Sequence, residues 1–373
     1  MKNKNPILFA LLALISCESE PKIVHENIAI GTYTQMEGHV SGDAEGIYLG
    51  QLNTQTGQIS IHDTIVGIVN PSYLQVKNQK IYAVSEMADG TTNPIGKLHV
   101  IDLESRAQQI ISINGDAPCH VNISQHGEYA ITSNYLSSVS VIALTNQVKL
   151  SDAITLEGET QGLPRQEASH PHMSAFAPDD RTVLVADLGL DAIIHFQLKD
   201  GVLTELTRTR TAAKGGPRHM IIDRTNRIVY VLNELNQSIE SYQWKDAQTP
   251  MSEIGSISTL KQGGVNLNIN SSAIHMHPSG NFIYASNRGL NGDPEQSIAA
   301  FKIVQPGNLT LIDTYPSKGL IPRDFTISPG GQYLLVANQE SDNIITYKIE
   351  NDGTLTSTDH VLQVRTPVCL KFY

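Results

Sequence analysis

KGGPRHMIIDRTNRIVYVLNEL, residues 214–235, has the pattern of a β-hairpin. Two apolar runs, 219–222 and 228–232, flank the polar turn Asp223-Arg224-Thr225-Asn226. In a hairpin the first residue of one strand and the last residue of the other lie at the same end. Arg218 and Glu234 are therefore expected side by side at one rim.

The same hairpin recurs along the chain. Its opening residues read Pro71-Ser-Tyr-Leu, Pro118-Cys-His-Val, Pro171-His-Met-Ser, Pro217-Arg-His-Met, Ser271-Ser-Ala-Ile, Pro322-Arg-Asp-Phe and Pro367-Val-Cys-Leu, at steps of 47, 53, 46, 54, 51 and 45 residues. Periods near 40–50 made of short strands point to propeller blades. Turn signals such as Pro178-Asp-Asp, Pro278-Ser-Gly and Pro329-Gly-Gly fall where the hairpin should reverse, and two further strand-like runs follow each hairpin (138–144, 192–198, 298–303 and 343–349 are examples). No long window has helical periodicity. The last opening, at Pro367, is followed only by the chain end, while residues 28–34, 46–52 and 58–61 form three strands lacking an opening strand. Joining the two makes a seventh blade and removes a free edge. The expected fold is all-β: a seven-bladed β-propeller with four antiparallel strands per blade, its ring closed by the C-terminal strand joining the N-terminal blade.

If the opening strand is innermost, the rim positions surround the mouth of a central channel. The residue after each opening reads Ser72, Cys119, His172, Arg218, Ser272, Arg323; the residue 17 after it reads Tyr135, Leu188, Glu234, Arg288, Gln339 in five of the copies. Arginine, histidine and glutamate thus converge from neighbouring blades. A polar column lies one residue earlier, at Asn134, Asp187, Asn233, Asn287 and Asn338, with Glu86 at the shorter first hairpin; Asn and Asp there also suit turn capping. The longest loops, 87–96, 158–170, 262–270 and 289–297, are of the kinds that emerge on this face, where sites are usually built. His172 is expected to point into the mouth, with His170 as the alternative one residue before the opening. His120 and His219, one place further along their strands, are expected to face the opposite side as hydrogen-bonded structural histidines.

Metal sites have little support. Asp187-Leu-Gly-Leu-Asp191 is too short and apolar for a calcium loop, and the pair His275 and His277 has no evident third ligand. There is no Gly-x-Ser-x-Gly elbow and no phosphate-binding P-loop. The 373 residues carry 26 basic and 37 acidic side chains, a net charge of −11, which argues against a nucleic-acid partner. Hydrophobic content of 40% is ample for a core.

The N-terminus reads as a targeting segment. Lys2 and Lys4 precede a short apolar run ending Leu14-Ile15-Ser16-Cys17, then Glu18-Ser19-Glu20. This resembles a bacterial lipoprotein signal: residues 1–16 would be removed, Cys17 lipidated, 17–26 would form a linker and 27–373 a single propeller. An exported protein held to a membrane only through its lipid anchor is expected, as is a monomer. Cys119 and Cys369 remain in the mature body and are expected to be buried small apolar residues, with Cys119 a possible wall of the channel.

Several stretches together resemble the seven-bladed propeller lactonases, a group that includes propeller-type 6-phosphogluconolactonases and the fungal carboxymuconate cyclase. They are Gly31-Thr-Tyr-Thr, Asn70-Pro-Ser-Tyr-Leu, Ala117-Pro-Cys-His-Val, His170-Pro-His-Met, Ala186-Asp-Leu-Gly-Leu-Asp, Gly216-Pro-Arg-His, Asn233-Glu-Leu, Ser286-Asn-Arg-Gly and Ile321-Pro-Arg-Asp-Phe. The resemblance implies a site of one His, two Arg and one Glu, which fall on His172 (or His170), Arg218, Glu234 and Arg288. It implies hydrolysis of a small anionic sugar lactone without a cofactor, or the related cycloisomerisation, with Glu234 or His172 as base. Arg218 and Arg288 would hold the carbonyl and the anionic group. Arg323, Asn134, Tyr135, Asp187, Asn233, Asn287 and His170 are the further substrate-binding candidates. The competing reading is a non-catalytic binding propeller, which aromatic-rich rim loops would favour and these loops do not supply.

Overall fold

A computed structural model describes residues 24–36, 41–88, 94–145 and 147–373. Seven four-stranded antiparallel sheets form the ring. In chain order their opening strands are Leu74–Lys77, Pro118–Ile123, Pro171–Phe176, Pro217–Asp223, Ile269–Met276, Pro322–Ile327 and Pro367–Phe372, and the blades are numbered one to seven accordingly. The only helical element described is one 3-10 turn, Gln339–Ser341. Blade seven takes Pro367–Phe372 from the C-terminus and His25–Thr32, Gly46–Asn53 and Ile59–Val66 from the N-terminal part, with Ile28 opposite Phe372 and Ile30 opposite Leu370. Its N-terminal strand begins at His25, three residues before the expected start at Ile28.

Period-2 alternation builds the core. In Thr182–Asp187 every residue is buried: Val183 and Val185 pack toward blade two, Leu184 and Ala186 toward blade four. Likewise Val229 and Val231 join the cluster shared with blade three, and Ile228, Tyr230 and Leu232 the one shared with blade five. A strand buried on both faces must be apolar on both, so these strands read as continuous hydrophobic runs. Outermost strands such as Gln108–Ser112 are largely exposed. Packing is tight where blades seven and one meet: a Cβ on Gly31 would lie 2.6 Å from the Pro71 carbonyl oxygen.

The opening strands are not regular. The pairing register slips between Pro118 and His120, Pro171 and Met173, Pro217 and His219, and Pro322 and Asp324. The residue after each proline is thus an unpaired extra, as in a β-bulge, and the strict in–out alternation of the strand is lost there. Cys119, His172, Arg218 and Arg323 are those four residues.

Candidate active site

Arg165 and Leu290 from loops, and Asn270 from near the start of Ile269–Met276, deliver side chains to a cavity of about 220 Å³. The remaining walls come from strand ends and include Glu86, Cys119, Tyr135, His172, Arg218, Glu234, Arg288 and Arg323. Glu234 lies at the centre of the charge. Its Oε1 accepts from Asn270 Nδ2 at 3.1 Å and lies 3.1 Å from Arg288 Nη2 and 3.2 Å from Arg165 Nη1. Arg218 Nε sits 2.9 Å from Oε2, a close ion pair whose angle falls outside hydrogen-bond geometry. Arg218 and Glu234 are the expected rim neighbours of one hairpin, and both are almost fully buried. The Glu234 backbone is tied at both ends, its N–H donating to Gly216 O at 2.7 Å and its carbonyl accepting from Ser271 N at 3.0 Å.

Electrostatics decide the protonation states. Burial alone would raise the Glu234 carboxyl, but Arg165, Arg288 and Arg218 outweigh it and hold it down at about 2. His172 is pushed well below the ordinary imidazole range, first by burial and then by Arg218, Arg323 and Arg165, so its ring is neutral at pH 7. Burial lowers Arg218 and Arg288 too, with Glu234 opposing, and both remain cations. Four guanidinium groups thus face two buried carboxylates, Glu234 and Glu86, in a protein whose net charge is −11. Such a cavity concentrates a small anion despite the acidic surface. Arginine's planar fork also suits a carboxylate, a phosphate or a developing oxyanion. Among the described residues no group of three or more His, Cys, Asp or Glu could hold a metal ion.

The model of the family described as "Lactonase, 7-bladed beta-propeller" matches residues 27–372. The chain belongs to the seven-bladed propeller lactonases. The 6-phosphogluconolactonase of Bacillus subtilis is 30% identical over 354 residues, 92% of this chain and 97% of that one. The 6-phosphogluconolactonase of Formosa agariphila is also 30% identical, over 81% of this chain and 88% of that one. A Bacteroides fragilis crystal structure, provisionally named a 6-phosphogluconolactonase, superposes with a TM-score of 0.80 at 28% identity, over 94% of this chain and 98% of that one.

In this lactonase His172, Arg218, Glu234, Arg288, Arg323 and Tyr135 meet at the cavity as the columns anticipated, with Cys119 among the walls. Of the polar column the structure brings Glu86 there but not the Asn and Asp members. Asn134, Asp187, Asn233 and Asn287 are fully buried and spend their side chains on nearby turns and strand ends. Asn134 donates to Ser138 and Ser140, and Asn233 donates to Ser238. Asp187 accepts from Ser169 and from the N–H groups of His170, Gly189 and Leu190, and Asn287 accepts from Thr259 and Ser271. They close turns and take no part in the cavity wall. His170 is also behind the wall, stacked on Tyr135 at 4.4 Å with Nδ1 2.9 Å from the Tyr135 carbonyl.

His120 and His219 require correction. Their rings do not face away: His219 lies 5.4 Å from His172 and 5.9 Å from His120, and His120 stacks at 4.3 Å on Tyr73. The bulge after each proline cancels the alternation that predicted the opposite side. Among the described residues neither His120 ring nitrogen has a hydrogen-bond partner, whereas His219 is hydrogen-bonded as expected, its Nε2 lying 3.1 Å from Arg218 Nη1. Arg165 lies outside the columns because a loop residue has no register by which to place it; Asn270 lies outside them because it precedes the Ser271 opening, although it belongs to the strand Ile269–Met276 and pairs with Arg288. Arg165 is aimed by a left-handed backbone (φ 69°) beside Gln166, whose buried amide pins the loop to Leu188 O and Asp191. Residues 1–23, with the expected signal and Cys17, lie outside the described residues.

Proposed function

We propose that this lactonase hydrolyses a small anionic sugar lactone, of the 6-phosphogluconolactone or gluconolactone type, at the mouth of its channel. The observation that carries the reading is the fan of four arginines around one cavity, three of them largely buried and Arg165 half-exposed. Ester hydrolysis places negative charge on the carbonyl oxygen, and fixed, partly buried guanidinium donors stabilise it more than water would. Arg218 and Arg323 are suited to that oxygen, and Arg288 with Arg165 to the substrate's anionic group. Glu234 keeps Arg165, Arg218 and Arg288 converged. The N-terminal pattern supports an exported lipoprotein anchored at Cys17, so the substrate is met outside the cytoplasm. The test is pH-stat hydrolysis by residues 21–373 of 6-phosphogluconolactone, gluconolactone and a muconolactone. Turnover well above the spontaneous rate on at least one sugar lactone is expected; none on any of the three would favour the binding propeller.

A further inference from the structure

We propose that Glu86, opposite Glu234 in the cavity, is the general base that activates water; the assignment rests on the lactonase reading above. Hydrolysis needs a proton acceptor beside the attacking water. Glu234 is poorly suited, because three arginines and Asn270 surround its carboxylate. His172 is no better placed: protonation would put a fourth positive charge beside Arg165, Arg218 and Arg323.

Glu86 has a different environment. It follows Lys80–Ser85, the second strand of blade one, and lines the same cavity. Its nearest guanidinium, Arg323 Nη2, is 4.0 Å from Oε2, beyond hydrogen-bond reach. The Tyr33 hydroxyl donates to Oε2 at 3.0 Å, and no described residue donates to Oε1. Burial holds the Tyr33 phenol far above its ordinary value, so it stays a donor. The main chain is equally fixed: Glu86 N–H donates to Asn70 O at 3.0 Å, and Asn70 in turn accepts from the N–H of Thr34 and Gln35. Among the described residues one carboxylate oxygen thus has a fixed donor and the other has none, on a side chain that lines the cavity. The Arg323 guanidinium lies 5.3 Å over the Tyr33 ring and 4.0 Å from Glu86, and it lines the same cavity as Arg218.

In the step this assigns, a water O–H bond breaks and its proton passes to Glu86 Oε1. The water oxygen bonds to the lactone carbonyl carbon, and the carbonyl π pair moves onto oxygen between Arg218 and Arg323. Collapse of the tetrahedral anion breaks the ring C–O bond. The leaving oxygen takes the proton back from Glu86 and becomes the product hydroxyl, while the new carboxylic acid loses its proton to solvent. Lactone and water give hydroxy acid, with no other reactant.

The experiment compares wild type, Glu86→Gln and Glu86→Ala by pH-stat on the best lactone of the panel, with formate added to the alanine variant. The glutamine variant keeps an acceptor for Tyr33 and is expected to lose about 100-fold or more in kcat with KM changed little. Formate is expected to restore at least about tenfold in Glu86→Ala, a recovery that repair of structure alone would not give. Wild-type turnover with kcat of Glu86→Gln within about threefold would overturn the assignment alone. Failure of formate to rescue a folded Glu86→Ala would do the same. Absence of wild-type turnover would overturn the lactonase reading and this assignment together.

Discussion

Arg165 reaches Glu234 from a loop, with its side chain 43% exposed, and its Nε donates to the Tyr135 hydroxyl at 2.7 Å. Its removal should therefore spare the fold and weaken only the hold on an anion. Arg165→Ala is expected to raise KM about tenfold, the worth of one charge-assisted hydrogen bond, and to leave kcat within about threefold. Steady-state pH-stat kinetics check it; an unchanged KM would place Arg165 outside the binding site. At this scale the sequence was legible where register applied. Arg218 and Glu234 came from hairpin ends, and His172, Arg288 and Arg323 from the same columns. It was illegible where register failed. A bulge leaves no mark in composition, so His120 and His219 were assigned to the wrong side, and Arg165 belongs to a loop no period reaches. Glu86 was visible in the polar column, but nothing separated it from turn-capping neighbours until Tyr33 and Arg323 appeared beside it.

At the scale of the element, the Asn and Asp residues at or near the end of the second strand in blades two to six are turn-formers. Asn287 shows the pattern: its carbonyl oxygen accepts from Thr259 and Ser271, and its amide donates to Thr259 O and Ser297. Asn287→Ala would orphan these groups in a fully buried site, at a cost of about 2–4 kcal/mol for several hydrogen bonds of roughly 1 kcal/mol each. Urea unfolding should register that loss while kcat/KM of the folded variant stays within about threefold. A stable variant with lost activity would return Asn287 to the substrate site. The blades themselves were legible because a 45–54 residue spacing of openings, all but Ser271 led by Pro, survives bulges and variable loops. The side of the ring that carries the site was legible too, since loops 158–170, 262–270 and 289–297 each supply a wall residue.

For the whole molecule, closure through Pro367–Phe372 leaves the C-terminal strand next to the channel, where Lys371 lies 4.7 Å over the Tyr73 ring and 4.0 Å from Asp324. With His120, His172 and His219 these residues make a channel lining rich in titratable groups. Burial holds all three imidazoles well below their ordinary value. The folded protein thus binds fewer protons than the unfolded chain once pH drops below about 6.5, and stability falls with pH. Each imidazole contributes up to about 1.4 kcal/mol per pH unit over that window. Glu234 adds a loss of the same sign at lower pH, as its carboxyl is approached at about 2. The urea midpoint should therefore decrease steadily from pH 7 to pH 5; a flat profile would mean the imidazoles are not held neutral in the fold. Overall charge acts at this scale too, because a chain of net charge −11 draws an anion inward only through the local arginine field.

That field is the central claim, and Arg218 tests it most directly because it bridges the carboxylate of Glu234 and the His219 ring. The measurement is kcat/KM for the preferred lactone in Arg218→Lys against wild type, with circular dichroism confirming the fold of both. Lysine keeps the charge and loses the planar fork, and a fall of about 100-fold is predicted. A value within about threefold of wild type would contradict the placement of lactone chemistry at this mouth.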